Sequence, residues 1–575
     1  MTQAPDFLRS GRDGASEMRR DVAWLIGLCL LAVATGVGLR DPWPADEPRF
    51  ALIARDMVAT GQWLIPQVGG DMYADKPPLF FWIVGSLYWL TGSLRVALLT
   101  PGVLSALGVV LLIYDLARRL WSRTIGFSAA LMLLVSVQFV WQARQGQIDA
   151  TLCLFTTLSL YGLLRHFLLG PAWRWYFIGW AAAGLGVITK GVGFLPLLVF
   201  LPYAIGRARG WTGLVGSPSA RWWLGPVAML AAMSVWLAPM LIAANGHTEL
   251  AAYRDEILFG QTVQRYTDAW HHREPFWYFL LEVIPIMWLP LIALTPWLAR
   301  HWRASWRAQD PRVLLPLAWV VLALFFFSAS TGKRGVYILP VLPAFVLACA
   351  PFVPDLLGRR GPRTVLYALA CAVSAVTLVG AFYILLDPGE RTELLNAYGV
   401  DAVGPLLTMG LGGALICALA RPPRASAAYG GVLLWVLLVV SFWVNPAMNE
   451  ARSGSAFMQR VQTLAPPDRE LGMVAYKEQY LLYLRRPAVN FGHSRWREFD
   501  QETADAAAWL AAAPKSRILL VDERAQAMCF SKATAQQVGV ANRSRWLLVT
   551  GQPDAQCIER GRLSAARRYA PPVRE

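Results

Sequence analysis

Apolar runs alternate with short polar links over most of the chain, and the pattern breaks only after Asn445. The runs fall at about 22–39, 94–113, 124–141, 148–168, 173–189, 191–206, 222–244, 276–299, 313–330, 336–353, 364–386, 402–420 and 427–444. A helix needs about 20 apolar residues to cross a bilayer, so about thirteen transmembrane helices are expected, the two short runs at 173–206 forming a hairpin around Thr189-Lys190-Gly191. Beyond Asn445 the pattern becomes that of a soluble domain. Leu471–Tyr476, Ala488–Phe491, Arg517–Val521 and Arg545–Thr550 read as strands, with helices over Glu478–Arg486 and Glu502–Ala512. Strands alternating with helices predict a small α/β domain over 446–575. No glycine-rich phosphate fingerprint follows any of its strands, so it is assigned no chemistry.

The polar links sort into two alternating sets. One holds Arg118, Arg119 and Arg123, then Arg165 and Arg174, then Arg207, Arg209 and Arg221. Arg300–Arg312, Arg359–Arg363 and Arg421–Arg424 continue it. These links are almost purely basic, as cytoplasmic loops are. The other set, at 41–91, 142–149, 190, 245–275, 331–335 and 387–401, mixes acids with bases. The expected topology therefore has a cytoplasmic N-terminus, Val22–Leu39 as an uncleaved first helix, and the C-terminal domain outside.

Composition agrees. The chain has 575 residues, 56% hydrophobic and only 16% charged, where a soluble protein has about a quarter charged. Its 26 Trp suit membrane interfaces. The formal charge of +16 does not indicate nucleic acid, because the basic residues lie in short links and form no long basic face. Cys29, Cys153, Cys349, Cys371 and Cys417 fall in apolar runs and read as small buried hydrophobes. Cys529 and Cys557 could pair if their domain lies outside. No internal repeat is visible, which weighs against a transporter.

Two outer loops are long enough to fold. Loop 41–91 packs Asp46, Glu47, Arg49, Arg55, Asp56, Asp71, Asp75 and Lys76 beside the bilayer, where ionisable groups are costly and usually functional. Pro48–Thr60 puts Phe50, Ile53, Ala54 and Met57 on one face and predicts an interfacial helix along the membrane surface. Pro77–Leu90 predicts a second helix, and about 248–265 a third within loop 245–275. By topology, Asp46-Glu47, Lys76, Arg144, Asp149, Lys190 and Lys333-Arg334 gather near the outer interface. Acids among several cations suit a site for a sugar and a phosphate. The bland readings are a helix cap for Asp46, a snorkelling Lys76 and an anchoring Lys190. His247, His271, His272, Glu274 and Asp75 are weak metal candidates whose spacing matches no standard site; a divalent cation is left open.

The blocks DEPRFA, YADKPPLFFW, QGQIDATL, TKGVGFLP and KRGVYILPVLPA occur in this order on the outer face. In that order they resemble bacterial polyprenyl-phosphate-dependent glycosyltransferases of the C-type superfamily, in particular the lipid A 4-amino-4-deoxy-L-arabinose transferases. Protein O-mannosyltransferases are more distant relatives. The resemblance runs to about residue 445 and implies an α-helical polytopic C-type glycosyltransferase domain over 1–445. It implies an undecaprenyl-phosphate-linked donor, a lipid A acceptor, polymyxin resistance, a bacterial inner-membrane location with a periplasmic active face and no organic cofactor; a monomer is the default expectation. It further implies catalytic roles for Asp46, Glu47 and Asp149. Lys76, Arg49, Tyr73, Lys190, Arg265, Lys333, Arg334 and Tyr337 would bind the lipid phosphate and the sugar. Lys76, with Lys333 or Arg334 and Arg265, would face the departing phosphate. A lipid A phosphate is already an anion and hardly needs a general base, so Asp46 is expected to position the sugar rather than abstract a proton. The rivals are protein O-mannosyl transfer and a lipid or polysaccharide flippase.

Overall fold

A computed structural model describes residues 6–215, 219–264, 273–492, 498–541 and 544–572. Among them, eight helices are long and apolar enough to cross a membrane, or ten if two sharply bent pairs each count as one span. The chain is a multi-pass membrane protein. The apolar runs outnumber these helices because hydropathy counts apolar length, whereas helical continuity depends on backbone chemistry. Run 173–189 contains the 15-residue helix Trp173–Val187. Run 336–353 divides into a 3-10 segment Gly335–Val341, with Pro340 inside it, and a helix Leu342–Cys349. Proline removes a backbone donor and interrupts the α-helical ladder.

The first outer loop is a folded layer. Helix Glu47–Thr60 leads to a hairpin of β1 (Gln67–Val68) and β2 (Asp71–Met72), then to helix Leu79–Thr91. In the second outer loop, helix Thr248–Asp255 continues as a π-helical stretch over Glu256–Gln264. The predicted face of the first helix is correct, with Phe50, Ile53, Ala54 and Met57 all buried. What covers it is not lipid. Phe50 meets the rings of Phe80 and Phe81 at 5.6 and 5.5 Å, and the same core includes Phe457, Met458, Tyr480 and Leu481 from the C-terminal region. The expectation of a helix floating on the membrane is thus corrected: protein supplies the apolar surface that a bilayer would otherwise provide.

The C-terminal region carries a six-stranded mixed sheet. Its strands are β3 (Glu470–Met473), β4 (Ala488–Asn490), β5 (Arg517–Asp522), β6 (Ala535–Ala541), β7 (Ser544–Val549) and β8 (Arg567–Tyr569), in the order β6-β7-β5-β3-β4-β8. β3 runs parallel to β4 and β5, and the other pairings are antiparallel. Four strands match the predicted ones. β6 and β8 were not predicted: they are edge strands with little buried apolar sequence. Cys529 and Cys557 form a disulfide.

The sheet is fastened to the first outer loop. Arg55 donates to the Leu482 carbonyl at 2.7 Å and also pairs with the Tyr569 hydroxyl. That hydroxyl donates to Asp56 at 2.9 Å. Asn490 reaches the Gly69 carbonyl at 3.3 Å, and Arg567 pairs with Asp71. Gly69 has φ +61, and a Cβ there would meet Leu481 at 2.8 Å. Only glycine fits both the turn and this close approach.

Candidate active site

Asp46 immediately precedes helix Glu47–Thr60, but its side chain makes no capping bond to the helix. It turns instead to Arg334, whose two terminal nitrogens lie 3.2 and 3.1 Å from Oδ2. Oδ1 lies 4.0 Å from Arg49. The cap reading of Asp46 therefore fails, and its carboxylate sits between two guanidinium groups. Arg49 is shared: its Nε donates to Glu478 at 2.7 Å, and its guanidinium lies 5.9 Å from the ring centre of buried Tyr73. Burial pushes the Tyr73 hydroxyl above its ordinary pKa, so it acts as a neutral wall.

A second ion pair stands close by. Asp149, at the start of helix Ile148–Leu169, accepts from Lys190 at 2.6 Å. The Lys190 ammonium lies 4.3 Å from the centre of the Tyr337 ring, a cation–π contact. The turn that presents Lys190 depends on Gly193, where a Cβ would collide with the backbone of Gly186 and Val187 at 2.0–2.2 Å. The two pairs act on one guanidinium. Burial disfavours charge on Arg334, but Asp46 foremost, with Tyr337 and then Asp149, outweighs it and holds its proton more tightly than usual.

Other predicted residues stand differently. Glu47 is buried, and its carboxylate accepts from Arg40 at 2.5 and 2.7 Å, from the Trp43 amide at 2.9 Å and from the Gly146 amide at 2.8 Å. Four donors on two oxygens make it a brace between the first outer loop and the Gly146 turn. Lys333 is buried and donates to the Glu274 carbonyl at 2.6 Å, so it latches two outer loops together. Of the Lys333-Arg334 pair, Arg334 is the one that faces Asp46. Arg144 binds the Ala32 and Thr35 carbonyls at 2.6 and 2.9 Å and also Ser441, clamping the bundle. The Lys76 ammonium donates to the carbonyl of Asp75 at 2.9 Å. Arg265, His271 and His272 lie outside the described residues. Among the described residues no three His, Cys, Asp or Glu side chains gather to hold a metal ion; His247, Glu274 and Asp75 are not brought together.

Glu478 was missed in the sequence. It lies shortly after β3, and residues at the carboxyl end of a parallel strand are where α/β sheets present functional groups. The C-terminal region, assigned no chemistry, thus places a carboxylate on Arg49.

The fold has solved counterparts. ArnT from Cupriavidus metallidurans bound to undecaprenyl phosphate superimposes with a TM-score of 0.71 at 22% identity, covering 93% of this chain and 98% of that one. Its apo form gives 0.70. The chain has the ArnT fold. In sequence, residues 75–238 match the dolichyl-phosphate-mannose-protein mannosyltransferase family model. The undecaprenyl phosphate-α-4-amino-4-deoxy-L-arabinose arabinosyl transferase of Pectobacterium carotovorum is 28% identical over 505 residues, 82% of this chain and 86% of its own. Transferase 2 of that name from Sodalis glossinidius is 27% identical over 453 residues, 76% of this chain and 79% of its own. The resemblance to lipid-dependent glycosyltransferases, carried in the sequence by five short blocks, therefore extends beyond residue 445. The ArnT fold includes the C-terminal sheet.

Proposed function

We propose that this protein transfers 4-amino-4-deoxy-L-arabinose from undecaprenyl phosphate to a phosphate of lipid A, at the outer face of a bacterial inner membrane. The observation that carries this reading is the pairing of Asp46 with Arg334 and of Asp149 with Lys190, in a chain alike over four-fifths of its length to an enzyme of that name. The N-terminus is cytoplasmic, and the active face and sheet are periplasmic. The basic links and the Cys529–Cys557 disulfide support this orientation, since disulfides persist in oxidising compartments.

The reaction follows from the charges. A lipid A phosphate oxygen attacks the anomeric carbon of the sugar. The bond from that carbon to the donor phosphate oxygen breaks, and undecaprenyl phosphate leaves with the electron pair. Positive charge grows on the sugar and negative charge on the departing phosphate. A guanidinium has five donors in a fixed fork. Arg334 uses two nitrogens on Asp46 and has further N–H groups for the phosphate, a task the family resemblance also gives to Lys76 and Arg265. Cations preorganised toward that phosphate stabilise the transition state more than the ground state. Asp46 orients the sugar and faces the developing cation, and Asp149 recognises the amine.

The protein acts as a monomer and uses no organic cofactor. Dialysis against EDTA reads the part of a divalent cation, abolishing transfer only if one takes part. Mass spectrometry of lipid A from cells with and without the protein tests the whole reading. Aminoarabinose on a lipid A phosphate, with polymyxin resistance, is the expected result. Unchanged lipid A with altered protein glycosylation would overturn it in favour of protein O-mannosyl transfer, which the family model over 75–238 favours.

A further inference from the structure

Gln138 is completely buried, in the short helix Val137–Ala143 that follows a 64° break from helix Arg123–Leu134. Both ends of its amide are engaged. Nε2 donates to the Gly335 carbonyl at 2.8 Å, and Oε1 accepts from the Trp288 indole at 2.7 Å. An indole N–H can only donate and a carbonyl can only accept, so one amide orientation satisfies both partners. An apolar side chain of similar size would fill this position without the cost of taking an amide out of water. Packing alone gives no reason for a glutamine here.

Gly335 supplies the reason. Arg334 is extended, at φ −136 and ψ 140, and the chain turns at Gly335 into the 3-10 segment that carries Tyr337. The Tyr337 amide closes that turn onto the Arg334 carbonyl at 2.9 Å. The bond from Gln138 therefore grips the backbone between two site residues, one facing Asp46 and the other lying under Lys190. Sequence alone gives no hint of this, because Gln138 and Gly335 are 197 residues apart.

We propose that Gln138 is a positioning residue for the transfer reaction. Through the Gly335 carbonyl it fixes the hinge from which Arg334 and Tyr337 reach the site. The proposal rests on the reading above in that Arg334 meets the lipid phosphate. Gln138 touches no substrate, so its effect passes through these two side chains. A misplacement of about 1 Å at such a site costs on the order of a hundredfold in rate.

The test uses the purified full-length protein and a mutant cycle. Q138M is made in the wild type and in an R334A/Y337F background. Two quantities are measured: affinity for undecaprenyl phosphate alone, and transfer of aminoarabinose to lipid A. In the wild-type background Q138M is expected to weaken undecaprenyl phosphate binding about tenfold and to lower kcat by about thirtyfold or more, with the KM for lipid A changed less than about threefold. In the R334A/Y337F background the same substitution is expected to change binding less than about twofold, because the guanidinium meant to meet the phosphate is gone. An equal loss in both backgrounds overturns the proposal. If Q138M does not purify as a folded protein, Q138L takes its place, filling the space with no donor for Gly335. Failure of both variants to fold also overturns it, since Gln138 would then serve the fold alone. A wild type that binds undecaprenyl phosphate without making modified lipid A defeats the functional reading only, and the cycle is then decided on binding.

Discussion

Arg334 brings both terminal nitrogens to a single oxygen of Asp46, at 3.2 and 3.1 Å, from 288 residues away. This leaves the second oxygen of Asp46 turned toward Arg49 at 4.0 Å. A carboxylate gripped on one side by a planar fork is held in a fixed direction. That is what a residue orienting a charged sugar requires. The neighbouring carboxylate of Glu47 has close donors on both oxygens, from Arg40 and two backbone amides.

Substitution should therefore separate the two adjacent acids. Asp46→Asn is expected to lower kcat/KM for aminoarabinose transfer by about a hundredfold or more while the protein melts as before. Glu47→Gln is expected to lower the melting temperature, because removing one charge of a buried pair costs about 3–5 kcal/mol. Thermal unfolding in detergent and transfer assays on both variants check this, and a reversal of the two patterns would contradict the site.

Lys190 and Asp149 should behave as a unit. Lys190→Met leaves a largely buried carboxylate without its cation, and is expected to reduce both stability and transfer. Adding Asp149→Asn should recover part of the stability but not the activity, with a coupling of about 1–3 kcal/mol in a double-mutant cycle. Strictly additive losses in stability would mean that the 2.6 Å contact carries no weight.

The attachment of the sheet to the outer loop should depend on pH through Asp56. Burial raises its pKa above the ordinary 3.8, and the opposing effects of Arg55 and the Tyr569 hydroxyl do not cancel this. The folded protein then binds more protons than the unfolded chain between 3.8 and the raised value. Stability from this group is fully present below the ordinary value and falls as pH rises through the folded one. Asp56→Asn removes that dependence, so the variant should gain in melting temperature relative to wild type on going from acid to neutral pH. A constant difference across that range would count against it.

Reduction of the Cys529–Cys557 disulfide should loosen the sheet. The bridge closes a sequence separation of 28 residues, for which chain entropy gives about 3.5 kcal/mol. Cys529→Ser is expected to lower the melting temperature and to make the protein insensitive to dithiothreitol. Hydrogen exchange over 517–557 would localise the change.

The membrane bundle, the two folded outer loops and most of the sheet are legible in the residue pattern, because hydropathy period and turn residues act locally. That pattern also contains the chemical list: Asp46, Asp149, Lys190 and Arg334 stood out as charges beside a bilayer, where charge needs a reason. It could not tell Asp46 from Glu47, or Arg334 from Lys333, since adjacent residues share every local signal and differ only in direction. Those directions emerge from long-range packing. It turned Glu47 into the Arg40 brace and Lys333 onto a carbonyl of the neighbouring loop, and it brought Glu478 and Gln138 to the site from segments without a visible chemical motif. Which partner a buried polar group finds is set by packing across hundreds of residues, and no local pattern encodes that.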